Sequence, residues 1–572
     1  MDAATVSQPL HGIKMQFDVP IPMRDGIRLS GDLYFPDAPG PFPVILTRTP
    51  YDNSAQRFVD WARFYARRGY AFVAQDCRGR YDSEGVFYAW HDEARDGYDT
   101  QEWIGRQPWC NGHIGTVGAS YGGLTQWLSA PLRSQYLKAM APRVTPSDFW
   151  REDNYFGGAF ALGLNLHWAL STSSRSMQNA EIYDWDQVYW SLPLIDADRQ
   201  AGRDVKFYQD WLKHPTYDDY WRQISNHDNY GSIDVPILNL AGWFDAYHGA
   251  AFINYAGMVK QGRSEMTRRS QKLVIGPWPH NLAVSTRTGQ LDFGPASKID
   301  LLALELRWFD HWLKKIDTGI MDEPPIRLFV MGANVWRNES NWPPEGTRFT
   351  RYYLHSRGGA SRLPGDGTLS PEPPEEEATD EYDYDPSNPV PTLGGNHSMT
   401  SDVVPVGPWD QRPIEGRSDV LVYTSPTLME DVEVTGPVVA TLCAGSSATD
   451  TDFTARLVDV YPDGRAMNLC EGVLRTRYRD SFENPTLMEP GRVYELRIDM
   501  EVTSNVFKRG HRIRLDVSSS NFPRLDRNLN TGRPIGMDAE MQVAHQTIYH
   551  TREYPSYILL PIASAGVNAI RA

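Results

Sequence analysis

The segment Gly118-Ala119-Ser120-Tyr121-Gly122 constrains this chain more than any other, because of what flanks it. Residues 114–117 (IGTV) are a short, largely β-branched run that reads as a buried strand. Residues 124–130 (LTQWLSA) are helix-compatible and contain no proline. A serine at such a strand-to-helix junction sits on a strained turn with its hydroxyl pointing away from the sheet. Glycines at 118, 122 and 123 remove the side chains that would block the turn. A structural Gly/Ser turn uses the same letters, but strand, turn and helix in this order point to a nucleophile elbow.

At 572 residues the chain is too long for one hydrophobic core and divides into about two to four domains. The first third alternates strand and helix signals. A hairpin spans 19–23 and 27–34, turned at Asp25-Gly26. Strands follow at 44–47, 70–75 and 114–117, with helices at 57–68 and 93–104. Residues 137–141 read as another strand. Such alternation implies a largely parallel sheet covered on both faces. From 146 to 235 the chain is rich in Trp, Tyr and Phe without βαβ rhythm, and reads as an inserted helical cap. Strand signals resume at 236–240 and 273–276, and a helix over 301–316 places Leu301, Leu304, Trp308 and Trp312 on one face. The acidic stretch 371–385 (PEPPEEEATDEYDYD) reads as a surface loop. Beyond it, short strands and turns, including a hairpin at Asp463-Gly464 and a half-buried strand at 512–517, indicate a β-sandwich of jelly-roll type. The expected architecture is α/β: an α/β-hydrolase core (1–145 and 236–352), a helical cap (146–235) and a C-terminal jelly roll (353–572).

A serine nucleophile needs a base to take its proton and a carboxylate to orient that base. In an α/β-hydrolase these follow the serine as acid, then histidine, each just past a later strand. PILNL (236–240) is such a strand, and AGWFD carries Asp245 off its end. LVIG (273–276) is the next, and PWPH delivers His280 on a proline-stiffened loop. A loop-capping acid and a surface histidine are the bland readings of each taken singly; with Ser120 they make a triad. His113 stands before the elbow strand and so at its wrong end. His248 would make one loop supply both partners. The oxyanion hole needs two donors, each worth ~3–4 kcal/mol of transition-state stabilisation. One is the backbone N–H of Tyr121. The second belongs to the loop after 44–47, where Tyr51 follows a proline and reads equally as donor or as packing aromatic. Arg78, near Asp82 and Glu84, reads as a loop-holding charge.

GASYGG around Ser120, TRTPY ending at Tyr51, AGWFD and GPWPH resemble the corresponding motifs of the cocaine esterase-like serine hydrolases. That wider family includes α-amino-acid ester hydrolases, glutaryl-cephalosporin acylases and X-prolyl dipeptidyl-peptidases. The resemblance extends through QDCRGRYDSEG (75–85), RLFVMGANVWR (327–337), DTDFTARLVDVYPDGRA (450–466) and SSSNFPRLDRNLNTG (518–532). It implies a hydrolase core, a cap inserted after the nucleophile, a jelly roll, Tyr51 as a side-chain oxyanion donor, and assemblies that are often dimers or larger. It also makes Trp168, Tyr247, Asp153 and Phe156 substrate-pocket candidates, each of which ordinary core packing would explain as well. Where the α-amino-acid ester hydrolases carry an acidic pair after the catalytic Asp, this chain has Ala246-Tyr247-His248. Only Asp153 remains to face an α-amine, which argues against strong selection for α-amino acyl groups. The stretch matching the family's apolar acyl wall, Asn396-His397-Ser398-Met399, is more polar, which argues against efficient cocaine hydrolysis.

A net charge of −16 excludes a phosphate-neutralising surface, so nucleic acid is not an expected partner. Four cysteines without CxxC spacing exclude a disulfide scaffold and argue against zinc; Cys443 and Cys470 are expected to be free. No metal or cofactor is expected. No apolar run spans a membrane and no secretory signal opens the sequence, so a cytoplasmic location is expected. The expected activity is hydrolysis of small carboxylic esters, or activated amides, through an acyl-enzyme. The alternatives are X-prolyl dipeptidyl-peptidase or β-lactam acylase activity, or a carbohydrate-binding protein with an inert core.

Overall fold

The computed structural model describes residues 6–361, 363–398 and 404–563. Met399, read above as part of an acyl wall, lies outside the described residues. Ten strands form the first sheet: β1 (Ile13–Pro22), β2 (Arg28–Pro36), β3 (Phe42–Thr49), β4 (Ala71–Asp76), β5 (Cys110–Ala119), β6 (Leu137–Arg143), β7 (Ile237–Gly242), β8 (Gln271–Gly276), β9 (Ile326–Val330) and β10 (Val335–Glu339). Their spatial order is β1-β2-β4-β3-β5-β6-β7-β8-β9-β10. Neighbours from β4 to β9 run parallel, and antiparallel pairs finish both edges.

Within β3, Val44 and Leu46 pack in one apolar cluster with Ile104, while Ile45 packs in another with Tyr65 and Phe309. Side chains alternate across a strand, so both faces of the sheet are covered. Burying each such side chain stabilises the fold by roughly 1.5–3 kcal/mol. Helices α1 (Gln56–Ala66), α2 (Glu93–Gly105) and α3 (Tyr121–Ser129) fall close to the positions the sequence predicts. β5 begins four residues earlier than expected, so His113 lies inside it, far along the strand from Ser120, with Nδ1 2.9 Å from the Leu313 carbonyl.

The inserted segment is helical only in part. Among its described residues, α4 (Leu162–Ser171) and α5 (Lys206–Lys213) are the only helices of eight residues or more. Buried Trp150, Tyr155, Trp211 and Trp221 hold the rest as short turns. Large aromatics can fix irregular backbone by packing alone, which is why the aromatic spacing overstated the helix content. After the cap, α6 (His248–Gln261) follows the acid-bearing turn, and α7 (Leu301–Lys314) packs on β6 and β5. Helix α6 was not foreseen, since its Gly and Ala content blurs the apolar stripe. On α7 the fully buried stripe runs through Leu306, Phe309 and Leu313, with Leu304 and Trp312 only partly covered.

The second sheet has eleven strands and encloses its own core, including Leu354, Val434, Leu442, Phe453, Leu457, Leu496 and Leu515. Its first strand, β11 (Arg348–His355), starts before the 352/353 boundary read from sequence, because its aromatic and β-branched residues pair along the whole run. Asp380–Tyr384 is a strand, not a surface loop: Asp380, Tyr382 and Tyr384 are buried on one side while the intervening acids face water. The two-residue period was hidden by the surrounding charge. The Asp463-Gly464 turn joins β12 (Asp452–Val460) to β13 (Ala466–Arg475), with Tyr461 N–H donating to Arg465 O at 2.8 Å. Residues 513–518 are buried on both faces rather than one, and Arg514 pairs with Glu415 at 2.6 Å.

Cap and sandwich meet closely. Gly157 and Gly158 take left-handed φ of 51° and 89° in a two-residue hairpin. A Cβ on Gly157 would lie 1.8 Å from the Val473 carbonyl oxygen, so only glycine permits this contact. All four cysteines are free thiols.

Candidate active site

Ser120 carries φ 57° and ψ −122°, a left-handed conformation that a non-glycine residue adopts only where its surroundings impose it. Its N–H donates to Arg143 O on β6 at 2.9 Å, and Gly118 lets the helix close on the strand: a Cβ there would lie 2.4 Å from Gly122 O. Tyr121 is the first residue of α3, so its N–H has no intrahelical acceptor.

The acid and the histidine stand on neighbouring strand ends, β7 and β8, which pair in register from Ile237–Gln271 to Gly242–Gly276. A buried tryptophan anchors each loop. Trp243 Nε1 donates to Phe329 O at 2.7 Å, and Trp278 Nε1 donates to Ser297 O at 2.8 Å. Trp243 N–H and Phe244 N–H donate across to Gly276 O and Trp278 O, tying the loops together. The result is a bond of 2.6 Å between His280 Nδ1 and Asp245 Oδ1. Asp245 is fully buried and its Oδ2 also accepts from Tyr247 N–H at 3.2 Å. Ser120 and His280 line the same cavity, of about 1020 Å3. Among the described residues the Ser120 hydroxyl has no hydrogen-bond partner within 3.5 Å.

Tyr51 also lines this cavity. Its hydroxyl oxygen accepts from Trp168 Nε1 at 2.8 Å, which orients the phenol and leaves its own proton free to donate. Burial pushes its pKa up to about 12, so it stays a donor across the working range. The loop beneath is tied by Arg80 Nε to Pro50 O at 2.9 Å and by the buried Arg48–Glu93 pair at 2.7 Å. Tyr121 turns its own hydroxyl to Glu93 at 2.9 Å and stacks on Trp168, ring centroids 5.8 Å apart.

Of the pocket candidates, Trp168, Tyr247 and Asp153 line the cavity with Ser120. Phe156 does not. It packs on Ala246, Tyr247 and Ala250 and lines a second cavity of about 410 Å3, between cap and sandwich. The short hairpin alternates its side chains, which turns Phe156 away from Ser120. The Asp153 carboxyl accepts from Tyr247 Oη and from Asn154 Nδ2 at 3.1 Å, with no ion pair among the described residues. Burial raises its pKa to about 7 against the opposing Tyr247 hydrogen bond.

His248 turns from the cavity: its Nδ1 meets Asp245 O at 2.8 Å, and burial lowers its pKa to about 4. Arg78 pairs with Asp96 and Asp25, not with Asp82 and Glu84; Glu84 is taken by Arg28. Sequence reasoning missed Ser398 as a neighbour of the dyad. Its hydroxyl lies 2.8 Å from Asp245 Oδ1 and 3.2 Å from His280 Nδ1. No local motif could have signalled that contact, since 153 residues of chain separate Ser398 from Asp245.

A profile described as X-Pro dipeptidyl-peptidase (S15 family) matches residues 25–281, and one described as X-Pro dipeptidyl-peptidase C-terminal non-catalytic domain matches residues 318–559. The chain is 41% identical over 576 residues to the cocaine esterase of Rhodococcus sp. (strain MB1 Bresler), covering 95% of this chain and 98% of that one. Among solved structures it is similar to an aminopeptidase from a marine sediment Thaumarchaeota archaeon, with TM-score 0.84 and 28% identity over 98% of this chain and 97% of that one. An α-amino acid ester hydrolase is similar as well, with TM-score 0.82 and 26% identity over 97% of each chain. With its hydrolase sheet, cap and β-sandwich, the chain belongs to the cocaine esterase family, of the X-Pro dipeptidyl-peptidase (S15) type.

Proposed function

We propose that this protein is a serine hydrolase of small carboxylic esters, with Ser120, His280 and Asp245 as its triad. The observation that carries the reading is the His280–Asp245 bond of 2.6 Å, with His280 lining the cavity that Ser120 also lines. The name of the Rhodococcus relative, a cocaine esterase, supports ester chemistry. Ser120 Oγ attacks the ester carbonyl carbon while His280 Nε2 takes its proton, and Asp245 holds the imidazole in the tautomer this requires. The oxyanion forms against Tyr51 O–H and Tyr121 N–H. The carbon–oxygen bond to the alcohol then breaks, and His280 returns the proton to the leaving oxygen. Water repeats the sequence on the acyl-enzyme, releasing the acid and Ser120.

The aromatic lining suits an apolar acyl or alcohol group. Asp153 favours a second, minor reading in which the acyl group carries an amine, as in the α-amino acid ester hydrolase and aminopeptidase relatives. With its pKa near 7 and no second acid beside it in the cavity lining, Asp153 is a weak anchor for a cation at neutral pH. Neutral esters are therefore the expected substrates.

A panel of p-nitrophenyl acyl esters, an α-amino acyl ester and Ala-Pro-anilide tests this ordering. Turnover of the neutral esters at least tenfold above the other two is expected; preference for the anilide would overturn it. A homodimer in the cytoplasm is part of the same reading, supported by the family resemblance and four free thiols. Light scattering of the purified protein tests the assembly.

A further inference from the structure

We propose that Ser398 is a positioning residue for the triad, so that the C-terminal β-sandwich completes the catalytic machinery of the hydrolase core; this rests on the triad assignment above. The loop bearing Ser398 is rooted in the sandwich side. Gly395 and Gly407 exchange two backbone hydrogen bonds, 2.8 and 2.9 Å, at its base, and Trp409 N–H donates to Asn468 Oδ1 at 2.7 Å. From that root the loop grips the acid-bearing turn at two points. Asn396 Nδ2 donates to Trp243 O at 2.6 Å, and Ser398 Oγ donates to Asp245 Oδ1 at 2.8 Å.

The second contact meets the triad at its most sensitive atom. Asp245 Oδ1 is the oxygen that accepts the hydrogen bond from His280 Nδ1–H, and Ser398 Oγ lies 3.2 Å from that nitrogen. Imidazole, carboxylate oxygen and hydroxyl therefore form a closed triangle. Oδ2 is held separately by Tyr247 N–H. A buried carboxylate turns to satisfy its donors, so the serine fixes the plane in which Asp245 presents Oδ1 to the ring. It also shares the negative charge on that oxygen with the imidazole. Removing the hydroxyl leaves the carboxylate held only by His280 and Tyr247 N–H, which loosens its plane and leaves more of its charge facing the imidazolium.

Among the described residues, the groups facing the His280 ring are Asp245, Tyr247 and Asp153, together with the Ser398 hydroxyl. None of the first three is altered in Ser398→Ala, so any change in the rate–pH profile reports the hydroxyl. The test is the pH dependence of p-nitrophenyl butyrate hydrolysis by wild type, Ser398→Ala and Ser398→Thr. For Ser398→Ala, kcat is expected to fall about tenfold with KM within about twofold, and the acid limb to move to higher pH. Ser398→Thr, which keeps the hydroxyl, restores kcat to within about threefold of wild type and restores the limb. Unchanged kcat and profile in Ser398→Ala, a rise in KM alone, or a loss that Ser398→Thr does not rescue would each overturn the proposal. Fluorophosphonate labelling of the same variants separates this failure from failure of the triad. An adduct on Ser120 at undiminished rate in Ser398→Ala sinks only the positioning role, whereas an adduct away from Ser120 sinks the triad itself.

Discussion

Asp245 and Ser398 meet at one oxygen atom, yet they reach it by opposite routes. Asp245 stands just past β7, on a turn pinned by the fully buried Trp243 and locked to the neighbouring strand-end loop. Ser398 arrives from the sandwich side, on a loop that reaches the core through side-chain hydrogen bonds such as Asn396 to Trp243 O and Ser398 to Asp245. The contrast extends to the rest of the cavity. Core loops supply the proposed nucleophile, base and acid and both expected oxyanion donors, while cap and sandwich supply Trp168, Asp153 and Ser398. Strand ends of a packed sheet cannot move independently, so reacting groups belong there. Walls supplied by packed-on modules can change without disturbing them, which is how one core serves several acyl groups.

If the core side carries the chemistry, its variants should dominate. Ser120→Ala and His280→Ala should each lower kcat/KM for p-nitrophenyl butyrate by about 10⁴-fold or more, with the thermal midpoint little moved. Retention of more than a hundredth of the activity would break the comparison at once. Tyr51→Phe comes next, with a loss of about 10²–10³-fold in kcat and little change in KM. Trp168→Phe, which removes the indole donor to Tyr51 together with part of the ring stacked on Tyr121, should cost about tenfold; a loss as deep as that of Tyr51→Phe would move the cap into the chemistry.

The smallest effect belongs to Asp153. Asp153→Asn should leave neutral esters within about threefold, and weaken an α-amino acyl ester more at about pH 7.5, where carboxylate and ammonium coexist, than at pH 6, because the carboxyl ionises near 7. The same shift has a stability consequence. The native carboxyl keeps its proton to about pH 7, whereas an unfolded aspartate loses it near 4. Between those values the native state binds more protons, so this group's contribution falls as pH rises through the window. Calorimetry should therefore find Asp153→Asn gaining on wild type from pH 5 to pH 8. A constant difference would place the native pKa elsewhere.

The sheet, elbow and strand-end loops were legible because their signals are local: β-branched runs, a Gly-flanked serine, and AGWFD and GPWPH directly after strands. What escaped the sequence is tertiary. Ser398 was read as a polar substitute in an acyl wall, yet its hydroxyl faces a carboxylate brought to it by the packing of two sheets. Phe156 was expected in the pocket, but a two-residue hairpin aims it between cap and sandwich. The 380–384 strand was lost in an acidic run because charge outweighed period, although Tyr382 and Tyr384 carried the alternation. Arg78 found Asp96 and Asp25 because loop neighbours in sequence need not be neighbours in space.

The assignment of three side chains to one reaction is tested most directly by mapping a fluorophosphonate adduct on the intact protein. Mass spectrometry should find one adduct per chain, on the peptide holding Ser120, formed far more slowly in His280→Ala and Asp245→Asn. An adduct on a different serine, or labelling of Ser120 at the wild-type rate in both variants, would contradict it.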